Sequence, residues 1–598
     1  MDISEKRCPS DGLELAKSQA ISRTGNCLGD DENARKIDTQ TQLDLTALEA
    51  TTGRSLDSER QADARKSNPG VLIFTSEGRP RKQVDILVDI GQQHLLFHDR
   101  SGMAYAQIEI DGHCEVYSIE STAYREVLAE RYLYATDRGC NRNSTGDAIA
   151  TLTSVAKFRG PVADVWLRVA YLDSSKEEIV IDMGRRDWRC IVVTAEGWNW
   201  CASPPNFRRA GAPLALPEPA EPNFSLLWKY ANVRIEDRPL LAAFLLATLR
   251  PTGPYPQLHL TGEQGTGKST LARVIRALTD PSSSPLRAPP KEVRDLLVGA
   301  LNGWVLSLDN LSYVTPSLSD ALCRLSTGGA ISERALYTNT DEVLVEVQRP
   351  VIINGIEDLA HRPDLAERAL HVELALIQNR QPESIFWRDF YLDAPAIFAG
   401  LLDGMSQALR DHASVRIERL PRMADFAIWS AAGMPALGFT SEAFLHSYRT
   451  NQSDGMAQGV DSSPVGVALL AMMQTRPSGW TGSAGDLLSF LGTKVSESVT
   501  RAQRWPRTPR ALAGALKRLA PALRVHGIDV GSTERTAHAR GVTLQWLPER
   551  PSQPSSLAPG PVRTDDCDQR DDRSVSWHIQ CPSCGGEGCN WCSSSSPP

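Results

Sequence analysis

Aromatic residues are scarce in this 598-residue sequence, at 6%, and no run of about 18 apolar residues occurs, so no membrane-spanning helix is expected. The opening residues, MDISEKRCPSDGLELAKSQ, lack the apolar stretch of a secretory signal, which points to a cytoplasmic protein with reduced thiols. Cysteine is thinly spread over most of the chain: seven of the 12 lie between Cys8 and Cys323 with no metal-like spacing. No internal repeat of solenoid length is apparent. The net charge of −8 excludes a surface basic throughout and coated in nucleic acid, but leaves room for a local basic site. Hydrophobic and charged contents of 41% and 23% are ordinary for a globular protein, and the length implies about three to five domains.

Composition divides the chain. Residues 1–68 are polar and poor in aromatics, the pattern of a disordered segment. Short apolar runs follow, among them VDILVDI, HLLFHD, EEIVIDM and CIVVTAEGW, and they predict a β-rich α+β domain over 69–211 with a helix at STAYREVLAERYLYATD. A proline-rich joint and the helical LLAAFLLATLR occupy 212–256. Strands and helices then alternate over 257–382, the pattern of a parallel sheet covered by helices, and 383–451 reads as a helical lid. A Gly/Ser/Asp-rich break at 452–464 precedes a basic domain at 465–548, a linker at 549–576 and a cysteine-rich tail at 577–598.

The segment PQLHLTGEQGTGKSTLARVIRAL sets a strand, a glycine loop and a helix in order. Its loop matches G-x-x-x-x-G-K-[S/T] through Gly262, Gly267, Lys268 and Ser269, with Glu263, Gln264, Gly265, Thr266 and Thr270 completing the phosphate cradle. Glycines let backbone N–H groups approach phosphates, and the helix N-terminus favours their charge. Lys268 supplies a cation for the β- and γ-phosphates of a nucleoside triphosphate, and the Ser269 hydroxyl suits Mg²⁺. The apolar run WVLSLDNLS ends in Asp309, an acid for the same metal about 40 residues on, followed by Asn310. A further strand, RPVIINGIED, ends in Asn354, and the turn after it carries Arg362 and Arg368.

This order of motifs resembles the superfamily III branch of ring ATPases, in particular the poxvirus- and phage-type primase-helicases. It looks most like the ATP-binding relatives found on actinobacterial phages and integrative elements. The residues that carry the likeness are LTGEQGTGKSTLARVIRALTDPS, WVLSLDNLSYVTPSLSDALCRLSTGG, RALYTNTDEV and RPVIINGIEDLAHRPDLAERAL, and it covers roughly 210–450. It implies an α/β P-loop NTPase (AAA+-like) core, ATP and Mg²⁺ as cofactors, and a homo-oligomer acting on single-stranded or forked DNA.

Site roles follow from the likeness alone. Asn354 would contact the γ-phosphate or the attacking water, and Arg368 or Arg362 would reach a neighbouring subunit's nucleotide. Arg334 and Tyr337, on the hairpin GGAISERALYTNTDEVLVEV, would touch DNA. An ordinary turn asparagine, a solvated helix face and a structural hairpin are the alternative readings. Many ring ATPases carry an acid where Asn310 stands, and an amide cannot take a proton. That departure leaves a second reading open, a nucleotide-dependent regulatory switch that binds ATP without moving DNA. No spaced acidic pairs of a primase stand in 69–207, so priming would fall to a partner.

Residues 465–548 resemble a winged helix, with helices at WTGSAGDLLSFL and TPRALAGALKRLAPAL and a two-stranded wing after them. Arg501, Arg504, Arg507, Arg510, Lys517 and Arg518 stand there with no acid among them, a pattern for DNA phosphates or for a solvated helix face. The tail places Cys581, Cys584, Cys589 and Cys592 as two C-x-x-C pairs four residues apart, spaced for tetrahedral Zn²⁺, with His578 and Cys567 as substitute ligands; the alternative is an unstructured tail with free thiols.

Overall fold

The computed structural model of the chain describes residues 76–201, 206–210, 213–334, 342–355, 363–461, 463–502, 505–535 and 540–547. Among them the apolar run VDILVDI, expected as a strand, lies in the helix Gln83–Gln92. Alternation fails there because Ile86, Leu87 and Val88 stand together, while the buried Ile86, Leu87, Ile90 and Gly91 share one helical face. Asp89 on the other side pairs with Arg81. This helix, with Thr122–Thr136 and Arg142–Arg159, packs on an antiparallel sheet of β1 (Leu95–His98), β2 (Ala104–Ile110) and β3 (His113–Ser118). The side chains of Ser121 and Asn141 cap the second and third helices.

A four-stranded antiparallel meander follows: β4 (Val169–Tyr171), β5 (Ile179–Asp182), β6 (Cys190–Thr194) and β7 (Gly197–Cys201). Its apolar face, through Val169, Ile179, Ile181, Ile191 and Val193, belongs to the same buried cluster as the helix Arg238–Thr248. That helix is buried at every position from Pro239 to Thr248, as a sequence apolar all round requires.

The central sheet is parallel, in the order β13-β8-β12-β9. Its strands are β8 (Gln257–Thr261), β9 (Leu306–Leu308), β12 (Val351–Asn354) and β13 (Ala369–Glu373), and a hairpin of β10 (Ala330–Arg334) and β11 (Glu342–Glu346) separates β9 from β12 in the chain. β8 and β12 lie inside the sheet, and each residue of β12 is buried. Apolar runs bounded by turn residues are what buried parallel strands require. This mixed α/β architecture with a parallel sheet is the coarse fold read from the sequence.

One carboxylate ties this sheet to the meander. Asp280 follows the helix Lys268–Thr279 and is 7% exposed. It accepts hydrogen bonds from the amides of Trp304 and Val305 at 3.1 and 3.0 Å, from Arg276 at 2.9 Å and from Arg168 at 3.1 Å. Arg168, 1% exposed, also donates to Asp182 O at the end of β5. Burial alone would push the Asp280 carboxyl up, but Arg276 and Arg168 outweigh it and hold it below the usual carboxylate range.

Helix Glu383–Asp411 packs on the sheet's cluster and on β7, where Trp198 donates to Asp403 at 3.0 Å. The Gly/Ser/Asp-rich break expected at 452–464 is helical as far as Asp461, within one helix running from Ser441. Gly455 permits close approach: a Cβ there would come within 2.8 Å of the His371 ring. One turn earlier, Asn451 accepts from the amide of His371 at 2.9 Å and donates to its carbonyl at 2.6 Å. The far end of the same helix, at Val460, enters the core of the C-terminal unit.

That unit runs helix Pro464–Gln474, β14 (Trp480–Ser483), helix Ala484–Lys494, a turn of helix at Glu497–Arg501, helix Pro509–Val525, β15 (Ile528–Arg535) and β16 (Arg540–Trp546). The sheet order is β14-β16-β15, all antiparallel. Strand β14 occupies the beginning of the segment read as a first helix, because Trp480–Ser483 pairs with β16 before Ser483 caps the helix. Among the described residues no helix is long and apolar enough to cross a membrane.

Replacing Asp280 with Ala leaves two buried guanidinium groups without their carboxylate and should cost about 3–5 kcal/mol, read as a lower urea midpoint for the sheet unit. Because the folded carboxyl is held down, its contribution is present above the ordinary aspartate value of about 4. It should be lost as pH falls through the lowered folded value. An unchanged midpoint would show that the Arg168–Asp280–Arg276 cluster is energetically idle.

Candidate functional site

The loop from β8 to helix Lys268–Thr279 turns on three glycines with positive φ: Gly262 at 131°, Gly265 at 84° and Gly267 at 88°. A side chain would be strained at each. Thr266, 1% exposed, donates to Glu263 O at 3.0 Å and braces the loop from inside. Lys268 Nζ donates to Gly262 O and Glu263 O, both at 2.7 Å, and burial lowers its pKa. Backbone N–H groups at this helix start have no partner of their own helix and suit an anion. Gln264 is exposed and Thr270 half-buried, on the loop and in the first helical turn.

The sheet topology brings two further strand ends to this loop. β9 ends one residue before Asp309, whose Oδ1 accepts from the Ser269 hydroxyl at 2.9 Å. β12 ends in Asn354, 3% exposed, whose Nδ2 donates to Ser269 Oγ at 3.3 Å. Its Oδ1 accepts from the Asn310 amide at 2.6 Å, and its backbone carbonyl accepts from the Leu311 amide at 2.9 Å. Ser269, Asp309, Asn310 and Asn354 thus form one hydrogen-bonded cluster beside Lys268. Asn310 has φ of 56°, the left-handed region that asparagine tolerates better than most residues. Its identity therefore has a backbone reason, which sequence spacing does not show. The Ser269 hydroxyl and the Asp309 carboxylate offer adjacent hard oxygen donors, the kind a magnesium ion takes.

Arg368 is not in this cluster. Its carbonyl accepts from the amide of Gln257, at the start of β8, and Ala369 pairs with Gln257, so it stands at the end of the sheet opposite the glycine loop. Its Nη1 donates to Asp364 O at 2.7 Å. Arg334 closes β10. Tyr337, Arg362, Arg504 and the tail residues Cys567, His578, Cys581, Cys584, Cys589 and Cys592 lie outside the described residues. Among the described residues no group of His, Cys, Asp and Glu could hold a metal ion by itself.

In the C-terminal unit Arg507, Arg510, Lys517 and Arg518 are exposed, while Leu512, Leu516, Leu519 and Leu523 of the same helical segment are buried. Arg501 is exposed but ion-paired with Glu497, one turn upstream, so the acid-free stretch does not leave it uncompensated. Arg507 donates to Arg501 O at 2.7 Å.

The segment after β13 carries no motif in the sequence, yet it covers the glycine loop. A Cβ on Gly262 would stand 2.9 Å from Leu374 O, one on Gly267 3.3 Å from Ile377 Cδ1, and one on Gly265 2.7 Å from Arg380 Nη2. No signal in IQNRQP marks this approach, which depends on β13 lying beside β8.

Residues 224–457 match the family described as actinomycete integrative conjugative element replication protein, AICE RepA, and residues 465–558 match the AICE RepA C-terminal domain. No curated protein matches the chain. Among solved structures, "The A form apo structure of NrS-1 C terminal region-CTR" is 10% identical, covering 78% of this chain and 98% of its own, with a TM-score of 0.32. A second, "The A form apo structure of NrS-1 C terminal region-CTR(305-718)", is 9% identical over 78% of this chain and 100% of its own, with a TM-score of 0.30. Likenesses this loose carry no argument.

The left-handed backbone at Asn310 generates a test. Asn310→Gly should leave the denaturation midpoint nearly unchanged, whereas Asn310→Val should destabilise by about 1–3 kcal/mol through strain. Equal midpoints for the two variants would mean that the turn relaxes and that φ does not explain the residue.

Proposed function

We propose, for a chain that carries the replication-protein and C-terminal domains of the AICE RepA family, that it is an ATP-dependent DNA-handling protein. In this reading it is a helicase-like oligomeric P-loop ATPase serving replication of the integrative element. The observation that carries it is the convergence of Lys268, Ser269, Asp309 and Asn354 at the ends of β8, β9 and β12. The loop amides would wrap the phosphates, and Lys268 would exchange its two carbonyl partners for phosphate oxygens. Ser269 and Asp309 would hold Mg²⁺, which neutralises phosphate charge when bound. Asn354 would keep Ser269 and the Asn310 turn in register. Arg368, at the opposite end of its own sheet, would serve as an arginine finger only toward a neighbouring subunit, with Arg362 as the other candidate.

The order helix, strand, three helices and a two-stranded wing supports a winged-helix-like reading of the C-terminal unit. Its exposed Arg507, Arg510, Lys517 and Arg518 suit DNA phosphates, with Arg334 and Tyr337 as hairpin contacts to single-stranded or forked DNA. The four tail cysteines Cys581, Cys584, Cys589 and Cys592 are proposed to bind Zn²⁺, and priming is assigned to a separate partner. One observation favours a second reading. Asn310 offers a carboxamide where a carboxylate would take a proton, which suits a nucleotide-dependent switch with little turnover.

Lys268→Ala should remove most ATP binding, and DNA should raise ATP turnover of the parent several-fold. Mixed Lys268→Ala and Arg368→Ala subunits should partly restore activity, because one interface then keeps both groups. A chain that stays monomeric with nucleotide and turns over ATP regardless of DNA favours the switch.

For the C-terminal unit, replacing Arg510, Lys517 and Arg518 together with Ala should weaken DNA binding. On duplex DNA the slope of log affinity against log salt should fall by about 0.9 for each phosphate left without its cation. Substitution is preferable to truncation, which would uncover Val460 and Met456 of the preceding helix. Metal analysis of the same protein should find about one zinc per chain, absent once the tail after Pro548 is removed. An unchanged slope, or zinc retained without the tail, contradicts these assignments.

A further inference from the structure

Three glycines of the loop are each covered by one residue of a single short segment: Gly262 by Leu374, Gly267 by Ile377 and Gly265 by Arg380. The segment is anchored on both sides. At its start the Leu374 amide donates to Thr261 O at 3.0 Å, and the Ala375 amide donates to Asn232 O at 3.1 Å. After it, Glu383 pairs with Arg273 at 2.6 Å, and the Arg273 guanidinium lies 4.7 Å from the centre of the Trp387 ring. Arg273 belongs to the helix that the loop begins.

Arg380 is exposed and has no hydrogen bond or ion pair among the described residues. Arg273 and Arg234, by contrast, are paired, with Glu383 and Glu373. A guanidinium with no acidic partner among the described residues thus lies against the apex of a loop whose amides suit an anion. Its planar fork matches phosphate oxygens in a way that a lysine ammonium does not.

We infer that Arg380 is a phosphate-binding residue of the nucleotide site, a second cation that reaches the triphosphate from the segment after β13 while Lys268 reaches it from the helix start. Ile377, packed on Gly267, forms the apolar wall beside it. The assignment rests on the proposed nucleotide site, and it adds a phosphate ligand that no residue of the glycine motif supplies.

The test is ATP and ADP affinity of the full chain, by competition with a fluorescent ATP analogue, for the parent, Arg380→Ala, Arg380→Lys and Lys268→Ala. Arg380→Ala should weaken ATP binding about tenfold or more, as removal of a charge-assisted hydrogen bond does. Arg380→Lys should recover part of it, and the melting temperature should stay that of the parent. Parent-like ATP affinity in Arg380→Ala, with binding abolished in Lys268→Ala, overturns the inference and leaves the site standing. Equal weakening in Arg380→Ala and Arg380→Lys with a lowered melting temperature also overturns it, since that marks a packing role. Parent-like affinity in Lys268→Ala would instead overturn the nucleotide site and the inference with it.

Discussion

Asp280 fixes the distance on which the candidate site depends. It joins the C-terminal end of helix Lys268–Thr279 to the start of β9 through the amides of Trp304 and Val305. From there the helix rises about 18 Å back to Lys268. The chain from Trp304 runs roughly 17 Å out to Asp309. Two lengths this similar, joined at one end and held side by side by the β8–β12–β9 pairing and the loop after β8, end level with each other. That is why the Ser269 hydroxyl meets the Asp309 carboxylate at 2.9 Å. Arg168 extends the same joint into the meander, so the β4–β7 sheet is part of the scaffold on which the site is aligned.

At the site end, a neutral carboxamide plays the corresponding part. Asn354 is nearly fully buried and uses both ends of its side chain, one on Ser269 and one on the Asn310 amide. A buried amide so engaged resists rotation, because freeing either end strands a polar group away from water. It follows that the turn after Asp309 is held stiffly, in a left-handed conformation, without a second acid. Under the proposed function, water activation here would have to work through hydrogen bonding or through a group brought from elsewhere.

The parts legible in the sequence are those whose chemistry is local. Gly262 to Ser269 carry a fixed spacing because the loop is one continuous turn, and Asp309 and Asn354 end short apolar runs because the strands are buried. Helix Pro509–Val525 is likewise readable from its leucine period. What escapes the sequence depends on partners distant along the chain. VDILVDI folds as a helix because Gly91 lets Leu152 of another helix pack closely. The stretch after Asn451 stays helical because Gly455 meets His371, although its composition reads as a break. Arg380 and Asp280 gain their roles only when β13 lies beside β8 and Arg168 reaches across from the meander. The pairing of Arg501 with Glu497 is hidden for a simpler reason, since the acid stands just before the acid-free stretch begins.

If the cluster at the ends of β8, β9 and β12 is a nucleotide site, hydrogen exchange of the full chain with and without Mg-ATP reports it directly. Amides of residues 262–270 should slow together with those of 309–311, because Ser269, Asp309 and Asn354 link the two segments. Slowing confined to other parts of the chain, or no slowing at saturating Mg-ATP, would contradict the account.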